Sequence, residues 1–193
     1  MAESVGVGVR RTNVTVLPTL FPDDPQLRMD VLRPYKVHSR YLKSATVSVQ
    51  NGLPVGRGEF SIPNSCYIDD TGHFNSVEFN ICYNQLVYYL LAKSIKERAV
   101  PALAAWTLDD FWERQLPDIL IARFRSLFRA PIESSSFSGE VSIATITESD
   151  VRRPVLLTET TCRFWDRQDG SAEGEVLLAL LNPPGMAPTK EIA

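Results

Sequence analysis

The chain has 193 residues, 44% hydrophobic and 22% charged, with a formal net charge of −3. That length suits one domain with a sizeable buried core, and the weak acidity argues against a dedicated nucleic-acid binder, whose domain is normally basic. No apolar run approaches the roughly 18 residues of a membrane span, and "MAESVGVGVRR" carries its basic pair after its apolar segment rather than before it, so it does not read as a secretory signal.

Residues 1–22 mix Gly, Thr, Val and Pro without periodicity and are expected to form a weakly ordered arm, with the domain running over 24–183 and a short tail at 184–193. "DDPQLRMDVLRPY" gives a helix start, with Asp24 as N-cap and Pro25 at the first helical position. Pro34 ends that helix and leaves Tyr35 in the following loop. "YLKSATVSVQ" and "VGRGEFSI" read as two strands around the turn "NGLP", a hairpin signature. A long helix is predicted from about Ser76 to Glu97, because positions 77, 81, 84, 88, 91 and 95 share one face. After Pro101, "TLDDFWERQLPDILIARFRSLFR" is expected to be a helical region interrupted at Pro117. "SFSGEVSIATI", "RPVLLTETTCRFWD" and "GSAEGEVLLALL" then read as three strands joined by turn residues such as "DRQDGS". A helix apolar around most of its circumference must be surrounded, and a curved antiparallel sheet does so economically. The expected architecture is therefore α+β, a hot-dog fold with a helical insert.

The polar residues around the long helix carry the functional question. Asn75 and Glu78, three apart at its start, match a capping box. The free N–H groups of the same helix start can also receive a developing oxyanion. Asn84 falls between Ile81 and Tyr88 in the apolar stripe, where an unpaired amide costs on the order of 1–3 kcal/mol. Asn80 lies at the edge of that stripe, and His73 in the loop before the cap. Tyr35 and Tyr67 read equally as packing residues or as phenol donors. Cys66 has no base beside it in sequence and reads as a small packed residue. Cys66, Cys82 and Cys162 share no metal-like spacing and leave an odd thiol, so reduced cysteines in a cytoplasmic protein, with no metal and no cofactor, are expected.

"YIDDTGHFNSVEFNICYNQLVYY" resembles the signature of the FcoT-like type III acyl thioesterases of actinobacteria, a hot-dog family that includes (2E)-enoyl-[acyl-carrier-protein] glycyltransferases of isonitrile lipopeptide pathways. The resemblance extends through "VLRPYKVHSRYL", "WTLDDFWERQL", "FRAPI" and "FWDRQDGSAEGEVLLALLN". It implies a site of two tyrosines and two asparagines without a side-chain nucleophile: Tyr35 of "RPYK", Tyr67 of "SCYI", Asn75 of "GHFN" and Asn84 of "CYNQ"; His73 and Asn80, from their positions beside these, are the expected substrate contacts. Two chemistries fit such donors. One is hydrolysis of an acyl thioester; the other is addition of glycine at C3 of a 2-enoyl thioester, a carbon–nitrogen lyase-type reaction run in the bond-forming direction, with hydrolysis releasing a 3-[(carboxymethyl)amino] fatty acid. The implied partners are an acyl carrier protein, glycine and further copies of the chain, as a dimer or hexamer. Arg40, Lys43 and His73 are the candidate cations for glycine's carboxylate. Arg123, Arg125 and Arg129, with Lys93, Lys96 and Arg98 if the fold brings them together, could dock an acidic carrier or form an ordinary solvated face. The rival classes are a non-catalytic acyl-binding protein of the same fold and a dehydratase using His73 with Glu78.

Overall fold

The computed structural model describes residues 18–69, 72–149 and 153–186. In chain order these form strand β1 (Thr19–Phe21), helix α1 (Pro25–Leu32), strands β2 (Leu42–Gln50) and β3 (Leu53–Phe60), helix α2 (Ser76–Lys96), helix α3 (Leu108–Arg114), and strands β4 (Ile119–Ala130), β5 (Phe137–Ser149), β6 (Val155–Trp165) and β7 (Ser171–Leu181). The seven strands form one antiparallel sheet in the order β1-β2-β3-β5-β6-β7-β4.

Local chemistry accounts for most of these elements. Asn51 and Gly52 both take positive φ, at 54° and 76°, the requirement of a two-residue turn matching the twist of β2 and β3. Asp24 caps α1 by accepting the Leu27 N–H at 3.1 Å, and Pro25 occupies the first turn where its missing N–H costs nothing. Asn75 and Glu78 complete the capping box that starts α2.

The sheet curls around α2. Gln85 of α2 bonds the backbone of Leu42 in β2, while Phe79 of α2 meets Phe124 of β4 with ring centroids 5.7 Å apart. Five strand spacings separate β2 from β4, roughly 24 Å in a flat sheet, so one helix touches both only if the sheet wraps it. The resulting core holds Phe74, Phe79, Tyr83, Leu86, Leu90 and Phe164, each fully buried. Close approach is made possible by paired glycines: a Cβ at Gly58 would lie 2.6 Å from Leu42 Cδ1, and its cross-strand partner Gly139 would place one 2.5 Å from the Phe164 ring.

Two expectations are corrected. The region after Pro117 is strand, not helix. In "ILIARFRSLFRA" Arg123, Arg125 and Arg129 are exposed while Phe124 and Phe128 turn inward onto Phe79, a period of two rather than 3.6. The helical insert is thus α3 alone with a short 3-10 turn at Pro101–Leu103. The N-terminal arm also contributes to the sheet: Thr19–Phe21 pair with Val49–Val47 as an edge strand. Residues 1–17 of the arm and 187–193 of the tail lie outside the described residues.

Candidate active site

Asn75 serves two purposes with its two amide ends. Its Oδ1 accepts the Val77 N–H at 3.0 Å and the Glu78 N–H at 3.2 Å, which is the cap. The same oxygen accepts the Tyr67 hydroxyl at 3.0 Å. Its Nδ2 is buried and has no hydrogen-bond partner among the described residues. Capping fixes the orientation, because only the oxygen can face N–H donors. A buried donor left unmet costs about 1–3 kcal/mol, and it stands at the positive end of a 21-residue helix. Capping thus uses the oxygen end of the side chain and leaves the nitrogen end uncommitted, so it does not compete with a chemical role.

Asn84 bonds along the helix, its Nδ2 donating to Asn80 Oδ1 at 2.7 Å. The pair does not point into the core as the stripe suggested. Val77 on that flank is 43% exposed, and Asn80, Ile81 and Asn84 are half-buried, because the sheet covers the other faces of α2. The stripe is apolar yet uncovered at its N-terminal end. Tyr35 is half-buried against the core beside Tyr88 and Cys82, and burial pushes its phenol well above the ordinary range, keeping it a protonated donor. Its loop is held by Arg40, whose Nε and Nη2 donate to the Tyr35 and Arg33 carbonyls at 3.0 and 3.2 Å. Lys43 in turn donates to the Arg40 carbonyl at 2.9 Å. Arg40 is therefore occupied in holding Tyr35 in place.

Of the four tyrosine and asparagine positions, one pair is in contact. Tyr67 and Asn75 are joined directly, whereas Asn84 stands nine residues further along α2, about 13 Å of helix rise. Both amides cannot reach one carbonyl oxygen within a single chain. His73 is exposed and lines, with Asn75, Ser76, Phe128 and Arg129, a hollow of about 430 Å³ at the helix start. Arg129 pairs with Glu173 at 2.6 Å.

The basic cluster is not brought together. Arg129 lies at the start of α2 and Lys96 at its end, roughly 30 Å away along the axis. Lys93 is buried and paired with Glu97 at 2.8 Å, and Lys96 with Asp24 at 2.5 Å. The three cysteines are free. Burial raises the Cys82 thiol well above its ordinary value and the Cys162 thiol to about 12, so neither is a poised nucleophile. No group of His, Cys, Asp and Glu among the described residues could hold a metal ion, and no described helix is long and apolar enough to cross a membrane.

Sequence reasoning missed two buried residues. Gln85 is fully buried: its Oε1 accepts the Tyr41 and Leu42 N–H groups at 3.0 Å each, and its Nε2 donates to the Ser39 carbonyl at 2.7 Å. It pins the segment after Tyr35 to α2. Tyr41 is 1% exposed, with its hydroxyl set against Cys66. The available signal for Gln85 was its spacing of seven from Glu78, two turns along the same face of α2.

The FcoT-like thioesterase domain matches residues 30–180. The chain is 51% identical over 163 residues to a (2E)-enoyl-[ACP] glycyltransferase of Streptomyces coeruleorubidus, covering 83% of this chain and 99% of that protein. It is 36% identical to the protein of that name from Mycobacterium marinum, covering 80% and 84%. Among solved structures, one from Syntrophus aciditrophicus, provisionally assigned as a thioesterase, superposes with a TM-score of 0.51 at 8% identity, covering 81% of this chain and 95% of that one. Another so assigned, from Shewanella oneidensis, gives 0.50 at 11% identity, covering 81% and 96%. These two share the hot-dog fold and, at such identity, nothing finer. The family match over residues 30–180 and the identity to these relatives show that the chain belongs to the FcoT-like thioesterase family.

Proposed function

We propose that this enzyme adds the amine of glycine to C3 of a (2E)-enoyl thioester carried on an acyl carrier protein and then hydrolyses the thioester. The product is a free 3-[(carboxymethyl)amino] fatty acid, an intermediate of isonitrile lipopeptide assembly in the cytoplasm. The observation that carries the reading is the Asn75 amide: its oxygen is fixed by the cap and Tyr67, and its buried Nδ2 is left to donate to a substrate oxygen. Addition at C3 turns the thioester carbonyl into an enolate, and hydrolysis turns it into a tetrahedral oxyanion. One fixed donor serves both, and each such donor is worth about 2.7–4 kcal/mol of barrier. The names of the relatives support glycine as the nucleophile.

The spacing of Asn75 and Asn84 supports an oligomer. A site using both draws Tyr67 and Asn75 from one copy and Tyr35 and Asn84 from another, which would also cover the open flank of Val77, Asn80 and Ile81. Arg123 and Arg125, exposed on β4 without an ion pair among the described residues, are cations free to meet an acidic carrier.

Incubation with a medium-chain 2-enoyl carrier-protein thioester, with and without glycine, tests the proposal by mass spectrometry. The expected product is an acid heavier than the enoic acid by one glycine, formed only when glycine is present. Release of the unmodified acid regardless of glycine would make the enzyme a plain thioesterase.

A further inference from the structure

Glu78 is 2% exposed, and its carboxylate bends back over the start of α2 to receive the Asn75 N–H at 3.4 Å. That long contact is its one hydrogen bond among the described residues, and no Lys or Arg pairs with it. The capping box does not explain the charge, since glutamine closes the box equally well. The helix dipole favours an anion there by about 0.3–1 kcal/mol, less than the several kcal/mol of burying an unpaired ion.

The surroundings are polar and unfinished. Tyr41, on the segment pinned by Gln85, sets its buried hydroxyl against Cys66, within electrostatic reach of Glu78. Ser65 and Asn75 each bring a buried polar atom, Oγ and Nδ2, with no partner among the described residues, and Tyr41 adds a hydroxyl against Cys66. Such groups persist where a ligand meets them. Cys82 also neighbours Glu78, but burial holds its thiol protonated.

We propose that Glu78 is a catalytic residue, the proton carrier of the amine addition, with the Tyr41 hydroxyl as its positioning partner. This rests on the glycine-addition reading above. Glycine's ammonium gives one proton to the Glu78 carboxylate, and the freed nitrogen pair forms the C3–N bond. The C2=C3 pair moves to C2 and the thioester oxygen as an enolate, held by Asn75 Nδ2. The Glu78 carboxyl then returns its proton to C2. The nitrogen keeps its other two protons and leaves as a secondary ammonium, so atoms and charge balance without a further reactant.

The test uses the full chain with the enoyl carrier-protein substrate and glycine, measuring adduct formation and thermal unfolding together. Glu78→Gln keeps the capping box and should melt as the parent does, while adduct formation falls 10²–10⁴-fold, the usual contribution of a general base. Glu78→Asp, which keeps the charge but withdraws it by one methylene, should recover part of that rate; a purely structural role would predict the opposite order. Tyr41→Phe removes the hydroxyl set against Cys66 while keeping the buried ring, so it should stay folded and slow addition at least tenfold. This variant decides the matter if Glu78→Gln fails to fold. Adduct formation within threefold of the parent in folded Glu78→Gln, or in Tyr41→Phe, overturns the proposal and leaves glycine addition standing. A parent that makes no adduct overturns both.

Discussion

Asn75 caps α2 with one end of its amide and, in the proposed function, serves the reaction with the other, because an amide has two chemically distinct ends. Asn84 has no such structural duty: its one bond is to Asn80 on the same helix. Asn84→Ala should therefore stay folded, with stability unchanged or raised by a few tenths of a kcal/mol through helix propensity. Turnover should fall by about 10²–10³, the loss of one oxyanion donor. Turnover equal to the parent would remove Asn84 from the site. Asp24 makes the opposite case. Its pKa is held below the ordinary aspartate value, first by the Lys96 ammonium and then by the Leu27 N–H. A depressed folded pKa gives stability that is present above the unfolded value and lost as pH falls through the folded one. Asp24→Asn keeps a good cap but loses the ion pair, so it should melt slightly below the parent at pH 7, by about 1 kcal/mol or less. The difference should close as pH falls through and below 4. A gap that persists to pH 2 would show that the ion pair is not its cause.

At the scale of elements, α2 holds the loops that hold the site. Gln85 ties Ser39, Tyr41 and Leu42 to the helix, and Arg40 ties the Tyr35 carbonyl into the same segment. Gln85→Leu fills the same space but strands three backbone groups in the core, each costing about 1–3 kcal/mol. It should destabilise by 3 kcal/mol or more in chemical denaturation, and any protein that folds should lose Tyr35-dependent activity. A loss below 1 kcal/mol would mean that the backbone groups find other partners. The strands on either side were legible because each carries a local signal: Asn51–Gly52 with two positive φ values, or Asp166 at the β6–β7 turn accepting the Gln168 and Gly170 N–H groups. The strand β4 was not. Its arginines at 123, 125 and 129 suit either period, and only Phe124 and Phe128 packing on Phe79 selects the strand.

For the whole molecule, the decisive feature is the open flank of α2. If two copies complete each site, a mixture of Asn75→Ala and Asn84→Ala subunits should regain activity on co-assembly, because one site of a mixed dimer then carries both intact halves. Half of the parent activity is the ceiling for a strict mixed dimer. Activity no higher than the sum of the separate variants would place the whole site within one chain. Asn75→Gly keeps most of the cap and would replace Asn75→Ala if that variant unfolds.

The sequence by itself determined the order of elements apart from β1 and β4, the caps at Asp24 and Asn75, the hairpin turn and the family signature holding Tyr35, Tyr67, Asn75 and Asn84, because each is written in neighbouring residues. Tertiary structure alone decided what those side chains face. Helical spacing placed Asn84 in the core, yet burial depends on which faces the curled sheet covers, and it leaves that one open. It alone sequestered Lys93 and Lys96 with Glu97 and Asp24. It alone brought the Tyr41 hydroxyl within electrostatic reach of Glu78, 37 positions away in the chain, since that depends on the path of the backbone between them.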